Sequence, residues 1–146
     1  MVFICDKNYD NDEYDNYFEK YPFDLSDFQK YAIQGLIEGN DVLITAHTGS
    51  GKTLPAEFAI KYFHEKNKKI IYTSPIKALS NQKFYEFTKM FENIDVGILT
   101  GDIKYNPDAQ CVIMTTEILR NILYQKESQH VSIDEVDKVI FDEIHY

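Results

Sequence analysis

The amino-acid sequence predicts an α/β fold in which a mostly parallel β-sheet carries helices on both faces. Two observations lead to this prediction. Short apolar runs of strand character alternate with longer stretches of helical character, which is the order expected for crossover connections between parallel strands. The apolar runs are also nearly continuous, as in strands that are buried on both faces of a sheet. A chain of 146 residues has room for one domain of this kind.

The strands and helices can be placed from their sequence patterns. A first helix is expected around Phe28, where apolar residues recur at helical spacing between a candidate N-cap, Ser26, and a candidate stop, Gly39. The apolar runs predict strands at 41–45, 69–73, 96–99, 111–114 and 138–141. The stretches of helical character between them predict helices at 52–66, 78–91 and 117–125.

Residues 1–20 differ from the rest of the chain. They carry six acidic side chains and two lysines, and asparagine and tyrosine fill the gaps without a helical or alternating period. This composition is typical of a solvated tail, so we expect a mobile acidic arm. The regular pattern begins at residue 21, and we assign residues 21–146 to the folded domain.

Composition and charge exclude several classes of protein. The formal net charge of −9 argues against a domain that covers nucleic acid through bulk positive charge, whereas a local basic or backbone-lined groove stays open. No apolar run approaches the roughly 20 residues of a membrane span, and the N-terminus lacks the pattern of a signal peptide. We therefore expect a soluble, intracellular protein with no membrane partner, in the nucleus or the cytoplasm. Cys5 and Cys111 are expected to be free thiols.

A phosphate-binding loop follows the first predicted strand directly and opens a helix. It has the pattern G-x-x-x-x-G-K-T with alanine at the first glycine position, and its residues are Ala46, His47, Thr48, Gly49, Ser50, Gly51, Lys52 and Thr53. The two glycines let successive backbone N–H groups turn toward phosphate oxygens, and the helix N-terminus adds partial positive charge. Lys52 is expected to reach the β- and γ-phosphates of the nucleotide. The Thr53 hydroxyl is expected to complete the coordination of Mg²⁺.

An acidic motif follows the last predicted strand. There the apolar run 138–141 leads into Asp142-Glu143-Ile144-His145. Asp142 can hold Mg²⁺ through water, and Glu143 can act as the general base on the attacking water. His145 is expected near the same edge of the sheet. An acidic pair after a strand is usually a solvated loop, but the phosphate loop upstream favours the catalytic interpretation.

Together, these motifs resemble the DExH helicases of superfamily 2. Three further stretches resemble the Ski-complex and exosome-associated RNA helicases in particular. They are 73–82 (TSPIKALSNQ) for motif Ia, 99–102 with 106–109 (LTGD and NPDA) for the TGD segment, and 114–120 (MTTEILR) for motif Ib. The stretches follow the family's order from about residue 21 to the end of the chain. The resemblance implies a RecA-like P-loop NTPase domain that uses ATP and Mg²⁺.

The resemblance also implies a site for the adenine base. Phe23 would stack on the adenine ring, and the side-chain amide of Gln29 would bind its polar edge. An amide suits this role because it donates and accepts hydrogen bonds in one plane. The residues alone leave a second interpretation, because Ser26-x-x-Gln29 is also a capping box that would only stabilise the start of the helix.

The resemblance further implies a track for RNA at the ends of strands and the starts of helices. Backbone N–H groups and hydroxyls would contact phosphates there, which reconciles a net charge of −9 with a nucleic-acid partner. We expect sequence-independent binding of single-stranded RNA, because no base-reading side chains are evident. The residues expected on the track are Pro75, Lys77, Ala78, Thr100, Gly101, Thr115, Thr116 and Glu117.

These features predict the N-terminal, ATP-binding part of an ATP-dependent RNA helicase. Its activity would require a second RecA-like domain, in cis or in trans. We expect the first domain to be incomplete here, because in related domains the next strand inserts between the phosphate-loop strand and the Asp-Glu strand. The alternative is an inactive or split-gene module that binds nucleotide or RNA without turnover. A DNA-specific helicase is disfavoured by the TGD segment and motif Ib.

Overall fold

The computed structural model describes residues 1–47, 49–125 and 133–145. The chain forms two compact units, Met1–Ala59 and Ile60–Tyr146, which we describe separately. The elements in chain order are α1 (Asp15–Phe18), α2 (Asp27–Ile37), α3 (Leu54–Glu65), β1 (Ile70–Ser74), α4 (Lys77–Met90), β2 (Val96–Leu99), β3 (Lys104–Tyr105), β4 (Cys111–Thr115), α5 (Thr116–Tyr124), a short 3-10 helix (Ile133–Glu135) and β5 (Lys138–Phe141).

The second unit contains a five-stranded sheet in the order β3-β2-β4-β1-β5. The pairs β2–β4, β4–β1 and β1–β5 are parallel, and only the two-residue β3 runs antiparallel at one edge. Every residue of β1, β2 and β4 is buried, as their nearly continuous apolar sequences predict. The predicted α/β class with a mostly parallel sheet is confirmed.

Helices cover both faces of this sheet. Successive side chains of a strand point to opposite faces of the sheet, so Ile71 and Tyr72 of β1 lie on different faces. Ile71 belongs to a buried cluster that includes Leu119 and Ile122 of α5. Tyr72 packs edge-on against Phe87 of α4, with the ring centroids 5.1 Å apart.

The strand predicted at 41–45 is wrong. These residues form no strand, and the side chain of Leu43 is 74% exposed. A β-strand exists through hydrogen bonds to a neighbour, and no described strand pairs with this segment. β5 likewise pairs only with β1 among the described residues. Its alternate side chains remain exposed, and Phe141 is 54% exposed.

The first unit contains α2, whose predicted start and stop are confirmed. The backbone N–H of Ser26 donates to Oε1 of Gln29 at 2.9 Å, which is the reach-back bond of a capping box. At the other end, Gly39 has a left-handed φ of 82°. The N–H of Asn40 donates to the carbonyl of Gly35 at 2.9 Å, and the N–H of Gly39 donates to that of Leu36 at 3.2 Å. These two bonds form a Schellman motif.

The first twenty residues contain a helix and contacts that the sequence pattern did not predict. Tyr9 packs edge-on against Phe18 of α1 and Tyr31 of α2, with centroid distances of 5.5 and 4.9 Å. The hydroxyl of Tyr14 donates to Glu38 at 2.8 Å, and this hydrogen bond raises the pKa of Tyr14 to about 12. Aromatic contacts thus join residues 9–18 to α2. The domain boundary at residue 20 and the mobility of the arm stay predictions.

Two further expectations concern thiols and membranes. Both cysteines are free, with Cys5 exposed and Cys111 buried. Burial raises the pKa of the Cys111 thiol to about 12. Across residues 1–47, 49–125 and 133–145, no helix combines the length and apolar character that a membrane crossing requires.

Candidate functional site

The phosphate loop lies in the first unit, directly before α3. Gly49 and Gly51 both have φ of +83°, in the left-handed region that favours glycine. The hydroxyl and the N–H of Ser50 both contact the carbonyl of His47, at 2.5 and 3.3 Å. Thr48, which the sequence placed in the loop, lies outside the described residues. The remaining loop residues thus form a tight turn of the kind that the pattern predicts.

Lys52 and Thr53 occupy the turn that leads into α3, and both are half-buried. The carbonyl of Thr53 accepts a hydrogen bond from the N–H of Glu57 at 3.1 Å, so the helix begins immediately behind the loop. Pro55 is the second residue of α3, where the missing N–H costs no intrahelical bond. The loop and the helix N-terminus therefore follow each other as phosphate binding requires.

Gln29 joins the phosphate loop to α2. Its Nε2 donates to the carbonyl of Gly51 at 2.9 Å, while its Oε1 accepts from the N–H of Ser26 at 2.9 Å. The side chain is only 6% exposed. A Cβ on Gly51 would lie 2.6 Å from Nε2 of Gln29, so any other residue at this position would force the Gln29 amide to shift. The capping box is thus present, which is compatible with both interpretations, and base recognition by Gln29 stays a prediction.

Phe23 lies just before α2 and is 53% exposed. Its ring is tilted by 46° against that of Tyr21, with the centroids 5.9 Å apart. An exposed aromatic face is what stacking on a base requires, and Phe23 offers one. Phe28, at the start of the helix, is half-buried, in line with its expected packing role.

The acidic motif lies in the second unit, at the carboxyl end of β5. The N–H of Asp142 donates to the carbonyl of Thr73 at 2.9 Å, which extends the β1–β5 pairing by one bond. Oδ2 of Asp142 accepts a hydrogen bond from the hydroxyl of Tyr72 at 2.5 Å. Glu143 has a φ of 53°, which turns the chain sharply after Asp142. Nε2 of His145 then lies 3.2 Å from Oε2 of Glu143.

Tyr72 is a residue of this site that the sequence analysis missed. Burial, and then its hydrogen bond to Asp142, raise the pKa of the hydroxyl, which therefore stays a donor. The sequence does show a tyrosine in an otherwise mostly aliphatic predicted strand. Because a buried hydroxyl normally has a hydrogen-bond partner, this pattern could have predicted a polar contact at Tyr72. The sequence alone does not say that the partner is Asp142.

The expected RNA residues gather at one edge of the sheet in the second unit. Ser74 at the end of β1 is in register with Thr115 at the end of β4. The hydroxyl of Thr116 donates to the carbonyl of Ser74 at 3.3 Å. The hydroxyls of Ser74 and Ser80 lie 2.6 Å apart and are buried. These bonds hold the starts of α4 and α5 side by side.

The expected RNA segment at Thr100 and Gly101 lies beside the start of α4. Nζ of Lys77 is 2.7 Å from Oδ2 of Asp102, and both side chains are largely exposed. A Cβ on Gly101 would lie 3.4 Å from the end of the Lys77 side chain. The exposed members of the predicted track are Lys77, Ala78, Gly101, Thr116 and Glu117, and Pro75 is half-buried.

Two of the expected RNA residues are buried instead. Thr100 and Thr115 are each 6% exposed. The hydroxyl of Thr100 accepts from the N–H groups of Asp102 and Ile103, and that of Thr115 caps α5 by accepting from Ile118. Their hydroxyls thus shape a turn and a helix start.

The chain offers oxygen donors of the kind that Mg²⁺ prefers. Within the part of the chain that the structure describes, no three His, Cys, Asp or Glu side chains lie close enough to hold a metal ion between them. Mg²⁺ is commonly bound by one or two side chains together with waters and substrate phosphates. The half-buried carboxylate of Asp142 and the hydroxyl of Thr53 fit that donor chemistry.

Comparisons with known proteins identify the family of the chain. Residues 26–146 match the DEAD/DEAH box helicase family. The chain is 48% identical to the antiviral helicase SKI2 of Saccharomyces cerevisiae, over 98% of this chain and 11% of the relative. It is 50% identical to the exosome RNA helicase MTR4 of Homo sapiens, over 88% of this chain and 12% of the relative. The chain therefore spans only a small part of the length of these relatives.

A solved structure supports the fold alone. The crystal structure of a hypothetical ATP-dependent RNA helicase from Sulfolobus tokodaii matches 92% of this chain and 42% of that one, with a TM-score of 0.67. The sequence identity over this match is 19%. The RecA-like architecture of such domains is thus shared without close sequence similarity.

Proposed function

The chain belongs to the DEAD/DEAH box helicase family, and on this premise we propose that it is the N-terminal, ATP-binding part of an ATP-dependent RNA helicase. The observation that carries the proposal is the phosphate loop, whose two left-handed glycines directly precede the helix α3 and whose Gly51 carbonyl is held by Gln29. A relative that is named an exosome RNA helicase aligns with 88% of this chain, and one that is named an antiviral helicase aligns with 98%. Unwinding would require a second RecA-like domain, in cis or in trans.

ATP would bind through its phosphates and its base. The N–H groups of the loop and the Lys52 ammonium would contact the phosphates, and Phe23 with Gln29 would hold the adenine. Gln29 has the capacity for both tasks, because an amide has two N–H donors and an oxygen with two lone pairs. Thr53 and Asp142 would hold Mg²⁺, which supplies neutralisation of charge on the phosphates.

Hydrolysis would use the acidic motif. Glu143 would take a proton from a water whose oxygen attacks the γ-phosphorus, and the bond to the leaving β-phosphate oxygen would break to give ADP and phosphate. His145, at 3.2 Å from the carboxylate, would restrict the orientation of Glu143.

RNA would bind along the exposed edge formed by the starts of α4 and α5 and the turn at Gly101. Backbone N–H groups and the Lys77 side chain would contact phosphates without reading bases. Binding would therefore be sequence-independent. We assign Thr100 and Thr115 a supporting role, since their hydroxyls are engaged within the protein.

A nucleotide- or RNA-binding module without turnover is the second candidate. One observation favours it for the chain as it stands: residues 41–45, which lead into the phosphate loop, pair with no strand of the described sheet. An RNA-stimulated ATPase assay separates the two candidates, with single-stranded DNA of the same length as control. The helicase proposal expects a steady-state rate that rises with RNA and not with DNA when the chain is joined to a second RecA-like domain. Nucleotide binding without any turnover under those conditions would favour the module.

A further inference from the structure

The side chain of Tyr72 is buried in β1, and its hydroxyl makes a hydrogen bond. The residue is 1% exposed, and its hydroxyl donates to Oδ2 of Asp142 at 2.5 Å. On the ring side, it packs edge-on against Phe87. A hydroxyl at this depth needs an acceptor, and many buried strands avoid that need by carrying aliphatic residues. The choice of tyrosine here therefore calls for a reason beyond packing.

The pairing of β1 with β5 explains how the two residues meet. Tyr72 is in register with Ile140, and Asp142 lies two positions further along, on the same face as Ile140. The backbone N–H of Asp142 donates a hydrogen bond to the carbonyl of Thr73, the residue that follows Tyr72 in β1. Asp142 is thus tied to β1 twice, by its N–H and by its carboxylate. Because β1 lies between β4 and β5, this support comes from an interior strand.

We propose that Tyr72 is a positioning residue that orients the carboxylate of Asp142 for Mg²⁺ binding. The inference rests on the proposed function, which assigns Mg²⁺ to Asp142. By donating to Oδ2, the hydroxyl holds the carboxylate in one orientation and leaves Oδ1 for the ion or its water. Removal of a group that holds a metal ligand in this way typically costs about 10–100-fold in metal affinity.

The test measures binding of a fluorescent, non-hydrolysable ATP analogue to the full-length protein at increasing Mg²⁺. Tyr72→Phe keeps the ring and removes the hydroxyl. We expect it to raise the half-saturating Mg²⁺ concentration about tenfold. In EDTA, its affinity for the analogue should stay within about twofold of the parent's. The matched control is Tyr85→Phe in α4, where the side chain is 64% exposed, and it should change neither value.

A second variant separates orientation from packing. Phe87→Leu removes the ring contact of Tyr72 and keeps its hydroxyl, so it should lower the melting temperature and leave the Mg²⁺ response unchanged. The positioning role is wrong if Phe87→Leu shifts the response as much as Tyr72→Phe does. It is also wrong if Tyr72→Phe responds like the parent. A parent protein whose nucleotide binding ignores Mg²⁺ contradicts the proposed function itself, and the role of Tyr72 with it.

Discussion

The phosphate loop and the acidic motif carry the proposed chemistry, and they are built in different ways. In residues 1–59, the loop takes its form from two left-handed glycines and from one side chain, Gln29. In residues 60–146, Asp142 takes its place from a strand partner that lies far away in the sequence. The loop is thus shaped by its own glycines and by one residue of α2, whereas the acidic motif is positioned by strand pairing in the sheet.

The difference teaches what each region needs. A loop that depends on local conformation can form while the strand before it remains unpaired, as residues 41–45 do. A carboxylate that depends on β1 needs the sheet to be assembled first. Substitutions at the loop should therefore change nucleotide binding, and substitutions at the acidic motif should change turnover.

The largest effect is expected from the presence or absence of a second RecA-like domain. Residues 1–146 alone should hydrolyse ATP about 10³–10⁵-fold more slowly than the same chain joined to a second RecA-like domain, because an arginine supplied from across the cleft is worth that much in related NTPases. They should also unwind no duplex. Steady-state ATPase rates of both proteins, with and without single-stranded RNA, measure this. Equal RNA-stimulated rates would contradict the requirement for a second domain.

Glu143→Gln is the next test, and it addresses the acidic motif. The amide keeps the shape of the side chain and cannot take a proton, so turnover should fall by about 10²–10⁴-fold. Binding of ATP and RNA should persist. Single-turnover hydrolysis and equilibrium titration on the same preparation measure the two quantities. A variant that hydrolyses ATP at the parent's rate would place the general base elsewhere.

Lys52→Ala should instead act on binding. Removing a charged hydrogen-bond donor to the phosphates should weaken ATP binding by about tenfold to a hundredfold, the loss expected for a charge-assisted hydrogen bond. Lys61→Ala, in the helix α3 that follows the loop, is the control and should bind normally. Fluorescence titration with a labelled nucleotide gives both affinities. Equal affinity of Lys52→Ala and parent would contradict the phosphate-loop assignment.

The smallest effect is expected from two alanine substitutions within the loop. Gly49→Ala and Gly51→Ala share the same left-handed φ, and each should cost about 1–3 kcal/mol of stability from backbone strain. Only the Cβ on Gly51 meets Gln29, which would lose its bonds to the loop and to Ser26. Gly51→Ala should therefore be less stable by a further 1–2 kcal/mol, about the net worth of those bonds.

A double-mutant comparison tests that difference. With Gln29→Ala as background, the obstacle to a Cβ on Gly51 is gone, so the two glycine substitutions should become equally destabilising. Denaturant unfolding of the parent, the three single variants and the two double variants gives the coupling. An equal cost of the two substitutions in the parent would mean that Gln29 does not hold the loop.

Local patterns were sufficient for much of the fold. The bounds of β2 and β5 match the predicted runs 96–99 and 138–141. For β2 the reason is its burial, because buried parallel strands have nearly continuous apolar sequences. The start and the end of α2 were equally readable from Ser26 and Gly39. The glycines of the phosphate loop have the conformation that their pattern requires.

What could not be predicted depends on partners distant in the sequence. The run at 41–45 has the composition of a strand, but a strand also needs a neighbour, which composition does not reveal. The bond from Tyr72 to Asp142 arises from strand register, and the packing of Tyr9 on Tyr31 arises from aromatic contacts without a period. The buried hydroxyls of Thr100 and Thr115 likewise follow from a turn and a cap.

The bridge that Gln29 makes also lets hydrogen exchange at one backbone amide report on the phosphate loop. The N–H of Ser26 donates to the same amide whose nitrogen donates to Gly51. A movement that draws the phosphate loop away from α2 must pull on this amide and loosen its hold on the Ser26 proton. The rate at which that single proton exchanges with deuterated water therefore follows the state of the loop, although Ser26 itself touches no phosphate.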